Sequence, residues 1–317
     1  MLFRTTLSES QKRNYIKAVL CLAEKPPKTP AAIAAGAKSR YDDFVVTHIQ
    51  QTMSIHFTGN FLSWHRYYVW AYEQALRNEC GYEGYQPYWN WGLYQDPRIS
   101  PIFDGSATSL SGDGACVAGR KAICVPNDAD CAVRLEPADG GGCVTSGPFA
   151  KTIAENITVN PQADGLGYNP RCLSRDLSTE ALKSATEERI VSLILNSQDI
   201  TTFQDTMQYV VTGDLGVHGA GHYGIGGDAN GDLYNSPSDP AFFAHHAMVD
   251  LTWWTWQNLG PGTRQNAVAG TVTFMNNPPS RNASLADGLD LGYSGVQNIT
   301  IGKVMDTLAG PFCYVYS

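Results

Sequence analysis

Charge is scarce in this sequence: 16% of its 317 residues are charged, and the net charge is −8. Nucleic acid and anionic membranes are recruited by basic faces, so neither is an expected partner. Long apolar runs are also missing, and none approaches the roughly 20 residues that cross a bilayer. The opening residues, Met1 to Thr5, lack the apolar core and cleavage site of a signal peptide. No close Cys-x-x-Cys pair occurs, which ranks a cysteine-bound structural zinc well below disulfides. Internal repeats and linkers are absent too, so the expectation is a single domain over 1–317.

What is present points outward from the cell. Eight cysteines, Cys21, Cys80, Cys116, Cys124, Cys131, Cys143, Cys172 and Cys313, form an even set, four of them in a Gly- and Asp-rich stretch between 116 and 143. Such usage predicts disulfides throughout the set, with the pairing left open, and hence the secretory route. Three sequons agree with it, at Asn156, Asn282 and Asn298. The protein is therefore expected to be secreted, with its leader absent from this chain.

With 43% hydrophobic residues, the chain can bury a sizeable core. Apolar spacing at Tyr15, Ile16, Val19, Leu20 and Leu22 predicts a helix over 9–24, ended by Pro26-Pro27. Further helices are predicted over about 38–54, 61–79, 178–195, 200–211 and 240–258. Residues 104–172 show no sustained periodicity and read as a long, covalently linked loop. Thr271–Phe274 and Cys313–Tyr316 have the alternation of short strands. The fold class expected is mainly α, with long disulfide-linked loops and a few short strands.

All seven histidines fall into two groups: His48, His56 and His65, then His218, His222, His245 and His246. A single histidine in a helix is more often a hydrogen-bonded core or surface residue than a ligand. Confinement of all seven to two windows reverses that preference and suggests a binuclear metal site. His218 and His222 are four apart, which places both rings on one helical face. Glycines at 219, 221, 224, 226 and 227 weaken that helix, so packing or metal must hold it. A zinc protease would carry Glu directly after the first histidine of the pair, where this chain has Gly219. No carboxylate ligand of a non-haem iron triad is evident either, and all-imidazole ligation of two ions suits copper.

On these motifs the sequence resembles the type 3 copper proteins, in particular fungal tyrosinases, catechol oxidases and short polyphenol oxidases. The first signature is His48 and His56 followed by Phe61-Leu-Ser-Trp64-His65-Arg66-Tyr67. The second is His218-Gly-Ala-Gly-His222, then Ser238-Asp239-Pro240-Ala-Phe242-Phe243-Ala-His245-His246-Ala-Met-Val-Asp250. Pro87-Tyr88-Trp89-Asn90-Trp91 and Tyr314-Val-Tyr316 are similar to accessory family motifs. The resemblance implies a four-helix bundle holding two copper ions, with O2 as co-substrate. His48, His56 and His65 would hold the first ion and His218, His222 and His245 the second, leaving His246 out. Small phenols would be the substrates, o-diphenols being oxidised to o-quinones while O2 is reduced to water. Because the family's covering domain follows the Tyr-x-Tyr motif, the resemblance also implies a processed, active form.

Departures from the family pattern bear on substrate. Relatives that hydroxylate monophenols well are similar in carrying Asn after the first ligand of the second copper, acting with an upstream Glu; here Gly219 stands there, and the nearest upstream carboxylate is Asp214. Diphenol oxidation is therefore expected to exceed monophenol hydroxylation. Tyr223 and Leu233 are candidate pocket residues, each weighed against ordinary packing. Asp250 and Asn90 are candidates for accepting a ring N–H from a ligand, or else for capping helices. Ser54 occupies the place of the cysteine that forms a thioether in some relatives, so none is expected. The rival readings are a haemocyanin-like oxygen carrier and, behind it, an all-histidine zinc hydrolase. The oligomeric state is left open.

Overall fold

The computed structural model describes residues 7–150 and 164–316. Three helices open the chain: α1 (Glu9–Glu24), α2 (Arg40–Ile55) and α3 (Phe61–Cys80). Capping boxes start the first two, Ser8 with Gln11 and Ser39 with Asp42, each satisfying two otherwise orphaned backbone donors. Gly81 ends α3 in the left-handed region, at φ 67°, and returns its N–H to Leu76 O. The apolar stripe of α1 packs on α3, and the Cys21–Cys80 disulfide joins the two helices.

The second half contains α4 (Thr179–Leu182), α5 (Glu187–Asn196), α6 (Ile200–Gln208), α7 (Gly216–Ile225), α8 (Gly227–Asn230), α9 (Ala241–Asn258) and α10 (Pro261–Arg264). The single helix expected over 178–195 is broken. Thr186 takes an extended conformation and accepts the Arg189 N–H, so it caps α5 instead of continuing α4. α9 is apolar nearly all round and is correspondingly central, packed on α3, α5 and α7. Its Phe243 stacks on Tyr72 of α3, with ring centroids 3.5 Å apart.

Among the described residues the strands form three two-stranded ladders. β1 (Gly114–Cys116) pairs with β4 (Gly141–Val144), β2 (Ile123–Val125) with β3 (Val133–Leu135), and β5 (Gly288–Leu289) with β6 (Ile299–Thr300). Cys124–Cys131 staples the β2–β3 hairpin, and Cys143–Cys172 ties β4 to the end of the long loop. Cys116 and Cys313 are free and exposed, contrary to the expectation that all eight pair. For Cys313 the reason is local: Tyr314 and Tyr316 face inward, and the alternation of extended chain turns residue 313 to solvent. The two strands expected near the carboxyl end do not form. Thr271 makes an isolated bridge to Asn282 before a 3-10 turn at Phe274–Asn276, and 313–316 lies extended without a ladder. Asn282 and Asn298 are exposed, as glycosylation requires, while Asn156 lies outside the described residues. Among those residues no helix is long and apolar enough to cross a membrane.

Candidate metal centre

Four helices bring the histidines together. His48 sits within α2, His56 just past its end, His65 in α3, His218 and His222 on α7, and His245 and His246 on α9. All seven rings are buried. The first three share one arrangement: Nδ1 of His48 bonds to Tyr234 O at 2.8 Å, that of His56 to Thr52 O at 3.0 Å, and that of His65 to Phe61 O at 2.8 Å. A carbonyl can only accept, so Nδ1 carries the proton in each ring and the Nε2 lone pair is free. Nε2 of His48 and of His65 is buried without any hydrogen-bond partner. Water cannot reach such a nitrogen, and a metal ion is the partner its lone pair suits.

In the second group, Nε2 of His222 lies 3.2 Å from Nε2 of His218 and 3.2 Å from Nε2 of His246. Three ring nitrogens thus converge. His245 is placed differently: its ring leans on Trp91, with centroids 5.2 Å apart, and lies so close over Gly221 that a Cβ there would overlap it. Both nitrogens of His245 are without partners. Each group nevertheless offers ligand atoms within 4.8 Å of one another. The groups face each other, with His65 stacked on His246 at 4.4 Å between centroids and His56 6.3 Å from His218. Burial lowers the basicity of every ring, His56 to about 4 and His222 to about 3, so the neutral form that ligates is the form the site holds.

Residues 38–259, which contain both groups, match the family model described as the common central domain of tyrosinase. The chain belongs to the tyrosinase family. Tyrosinase P of Aspergillus terreus is 35% identical over 98% of this chain and 90% of its own length. The N-acetyl-6-hydroxytryptophan oxidase of Emericella nidulans is 36% identical over 98% and 90%. Among solved structures, a mutant polyphenol oxidase of Thermothelomyces thermophila superposes with a TM-score of 0.92 at 42% identity, over 100% of this chain and 88% of that one. The two buried histidine groups of this tyrosinase-family oxidoreductase fit a binuclear copper centre that uses O2. Neutral imidazoles with free, desolvated Nε2 atoms are the donors that copper accepts.

Other residues singled out from the sequence have different work in this tyrosinase-family protein. Asp250 accepts from Arg66 Nε at 2.5 Å, Tyr314 OH at 2.6 Å and Tyr316 OH at 2.5 Å, so it orients no imidazole. Asn90 accepts the Gly92 N–H at 3.1 Å and caps the turn Trp91–Leu93. Asp214 accepts the Gly216 N–H at 2.9 Å and pairs with Arg189 at 2.9 Å; it belongs to the start of α7. Gly219 borders open space, since a Cβ there would meet only Leu215 Cβ, at 3.6 Å. Tyr223 is half-buried and lines a cleft of about 190 Å³ with Arg120, Lys121 and Pro137, a cleft with no histidine in its walls. Leu233 is half-buried in the loop before Tyr234, and Ser54 bonds to Gln51 O. The Tyr234 carbonyl was invisible in the sequence, because a backbone acceptor has no residue-type signature.

Proposed function

We propose that this protein oxidises o-diphenols to o-quinones, reducing one O2 to two waters for every two diphenols, and that it hydroxylates monophenols weakly. The supporting observation is the pair of buried imidazole groups facing each other, with unpartnered Nε2 atoms on His48 and His65 and the Nε2 atoms of His218, His222 and His246 converging. His48, His56 and His65 would hold one copper. His218, His222 and His246 would hold the other, His246 replacing the expected His245 because its Nε2 shares the convergence point. Bound there, each ion would exchange one electron, so that the pair together would take two electrons from a diphenol or give two to O2. The helices α2, α3, α7 and α9 act as a bundle around them, within one catalytic domain over 1–317 that works outside the cell.

The substrate preference is read from what flanks His218. A monophenol must lose its proton before an oxygen is added ortho to it, and a base near the ring assists that loss. Gly219 has no side chain to hold a water, and Asp214 is committed to Gly216 and Arg189. A diphenol needs no such hydroxylation step. The relative named for a hydroxytryptophan widens the substrate class to hydroxyindoles as well as phenols.

The test joins metal analysis to a rate panel of catechol, 4-tert-butylcatechol, phenol and L-tyrosine. Two coppers per chain are expected, with catechol oxidised at least about tenfold faster than tyrosine is hydroxylated, ~1.4 kcal/mol in barrier. Equal rates would reverse the preference. Silence toward both catechols in the copper-loaded protein would indicate an oxygen carrier, and zinc without copper a hydrolase.

A further inference from the structure

We infer that Gln208 of α6 is a positioning residue for His56, holding the strained turn on which that histidine leaves α2. The inference rests on the copper reading above. α2 ends at Ile55, and His56 follows in an extended conformation, at φ −119° and ψ 143°. Phe57 then enters the left-handed region, at φ 50°, which a side chain of its size adopts only against steric resistance. Such a conformation persists only where its surroundings hold it, and it clusters at functional sites. The turn bears directly on His56: Nδ1 ties the ring to Thr52 O, but the backbone of the residue no longer belongs to the helix.

Gln208 grips the turn at its centre. Its Oε1 accepts, at 3.0 Å, the N–H of the peptide that joins His56 to Phe57. A backbone N–H can only donate, so the oxygen of the amide must face it. That leaves Gln208 Nε2 buried without a hydrogen-bond partner, a penalty that an apolar side chain would avoid. Gln204, one turn earlier on α6, donates its Nε2 to Thr58 O at 3.1 Å. Both glutamines are buried. The Phe57 ring packs edge-on against Tyr209 and Phe274, with centroids 5.1 Å away in each case, and the Phe57 carbonyl accepts the Met275 N–H at 3.2 Å. The same end of α6 supports the other half-site: a Cβ on Gly216, the first residue of α7, would lie 2.6 Å from Met207 O. α6 supplies none of the assigned ligands, yet it fixes the backbone beside His56 and the helix start two residues before His218.

The test is a double-mutant cycle on the copper-loaded protein. Gln208→Met keeps the length of the side chain and removes its acceptor, and it is made both in the parent and in a Phe57→Gly background, where glycine takes a positive φ without strain. Copper per chain is followed in competition with a graded chelator, beside EPR for uncoupled Cu(II) and the melting temperature of each metal-free chain. In the parent, Gln208→Met is expected to weaken copper retention about 10- to 100-fold and to raise an uncoupled Cu(II) signal, while the metal-free melting temperature falls by no more than about 5 °C. In the Phe57→Gly background the same substitution is expected to weaken retention less than about threefold, because no strain is left for Gln208 to oppose. Unchanged retention in Gln208→Met overturns the inference, and so does an equal loss in the two backgrounds. A Gln208→Met chain that loses copper only together with its fold overturns it as well. A parent that takes up no copper would instead remove the reading beneath it.

Discussion

His245 and His246 leave α9 about 100° apart, as neighbours on a helix must, and that rotation separates their tasks. The ring of His246 meets Nε2 of His222, whereas the ring of His245 fills the gap between Trp91 and the backbone of Gly221. Replacing His246 by Ala should remove one copper and lower catechol oxidation by more than about 100-fold, beyond the loss caused by removing an outer partner of a ligand. Replacing His245 by Ala should leave two coppers in place. Metal analysis of the two variants decides it, and the reverse pattern would restore His245 as the ligand. From sequence both histidines were visible as members of a metal group, but spacing along the chain could not rank them. Asp250 misled for a related reason: proximity in number suggested an imidazole partner, while Arg66, Tyr314 and Tyr316 take both its oxygens. Arg175 and Asp239 are 64 positions apart, and only tertiary structure reveals their buried ion pair.

At the scale of elements, the segment after residue 312 is fastened by side chains rather than by a strand ladder. Tyr314 and Tyr316 both donate to Asp250, and Arg66 completes the cluster by donating to Val304 O, Met305 O and Gln257 Oε1. Substituting Phe for Tyr314 removes one hydrogen bond to a buried carboxylate and should cost ~1.5–3 kcal/mol. Substituting Ala for Asp250 leaves the Arg66 guanidinium buried without its counter-charge and should cost more, ~3–5 kcal/mol. Urea denaturation measures both, and an Asp250 variant as stable as the parent would refute the assignment. Helices with strong local punctuation were legible in advance: α1 lies between Ser8 and the prolines that follow it, and α3 ends at Gly81. The break at Thr186 was not, because a capping threonine inside an apolar pattern looks like any other polar position. The tyrosines near the carboxyl end alternate as a strand does, yet their periodicity serves a polar anchor.

Across the whole molecule, the mostly helical class and the copper centre were readable because histidine is rare here and concentrated. Disulfide pairing was not readable, since an even count says nothing of distance; six cysteines pair and Cys116 and Cys313 do not. The two metal half-sites also come from distant parts of the chain, 48–65 and 218–246, and they are not mechanically separate. His48 takes its orientation from the carbonyl of Tyr234, in the loop that leads from α8 to α9. An ion that orders that loop prepares a ligand of its neighbour. By thermodynamic reciprocity, whatever one ion does to the affinity of the second, the second returns in equal measure. Copper uptake by the metal-free protein should therefore be cooperative, with singly loaded chains scarce at half saturation. An isotherm matching two independent sites would show that the carbonyl transmits nothing.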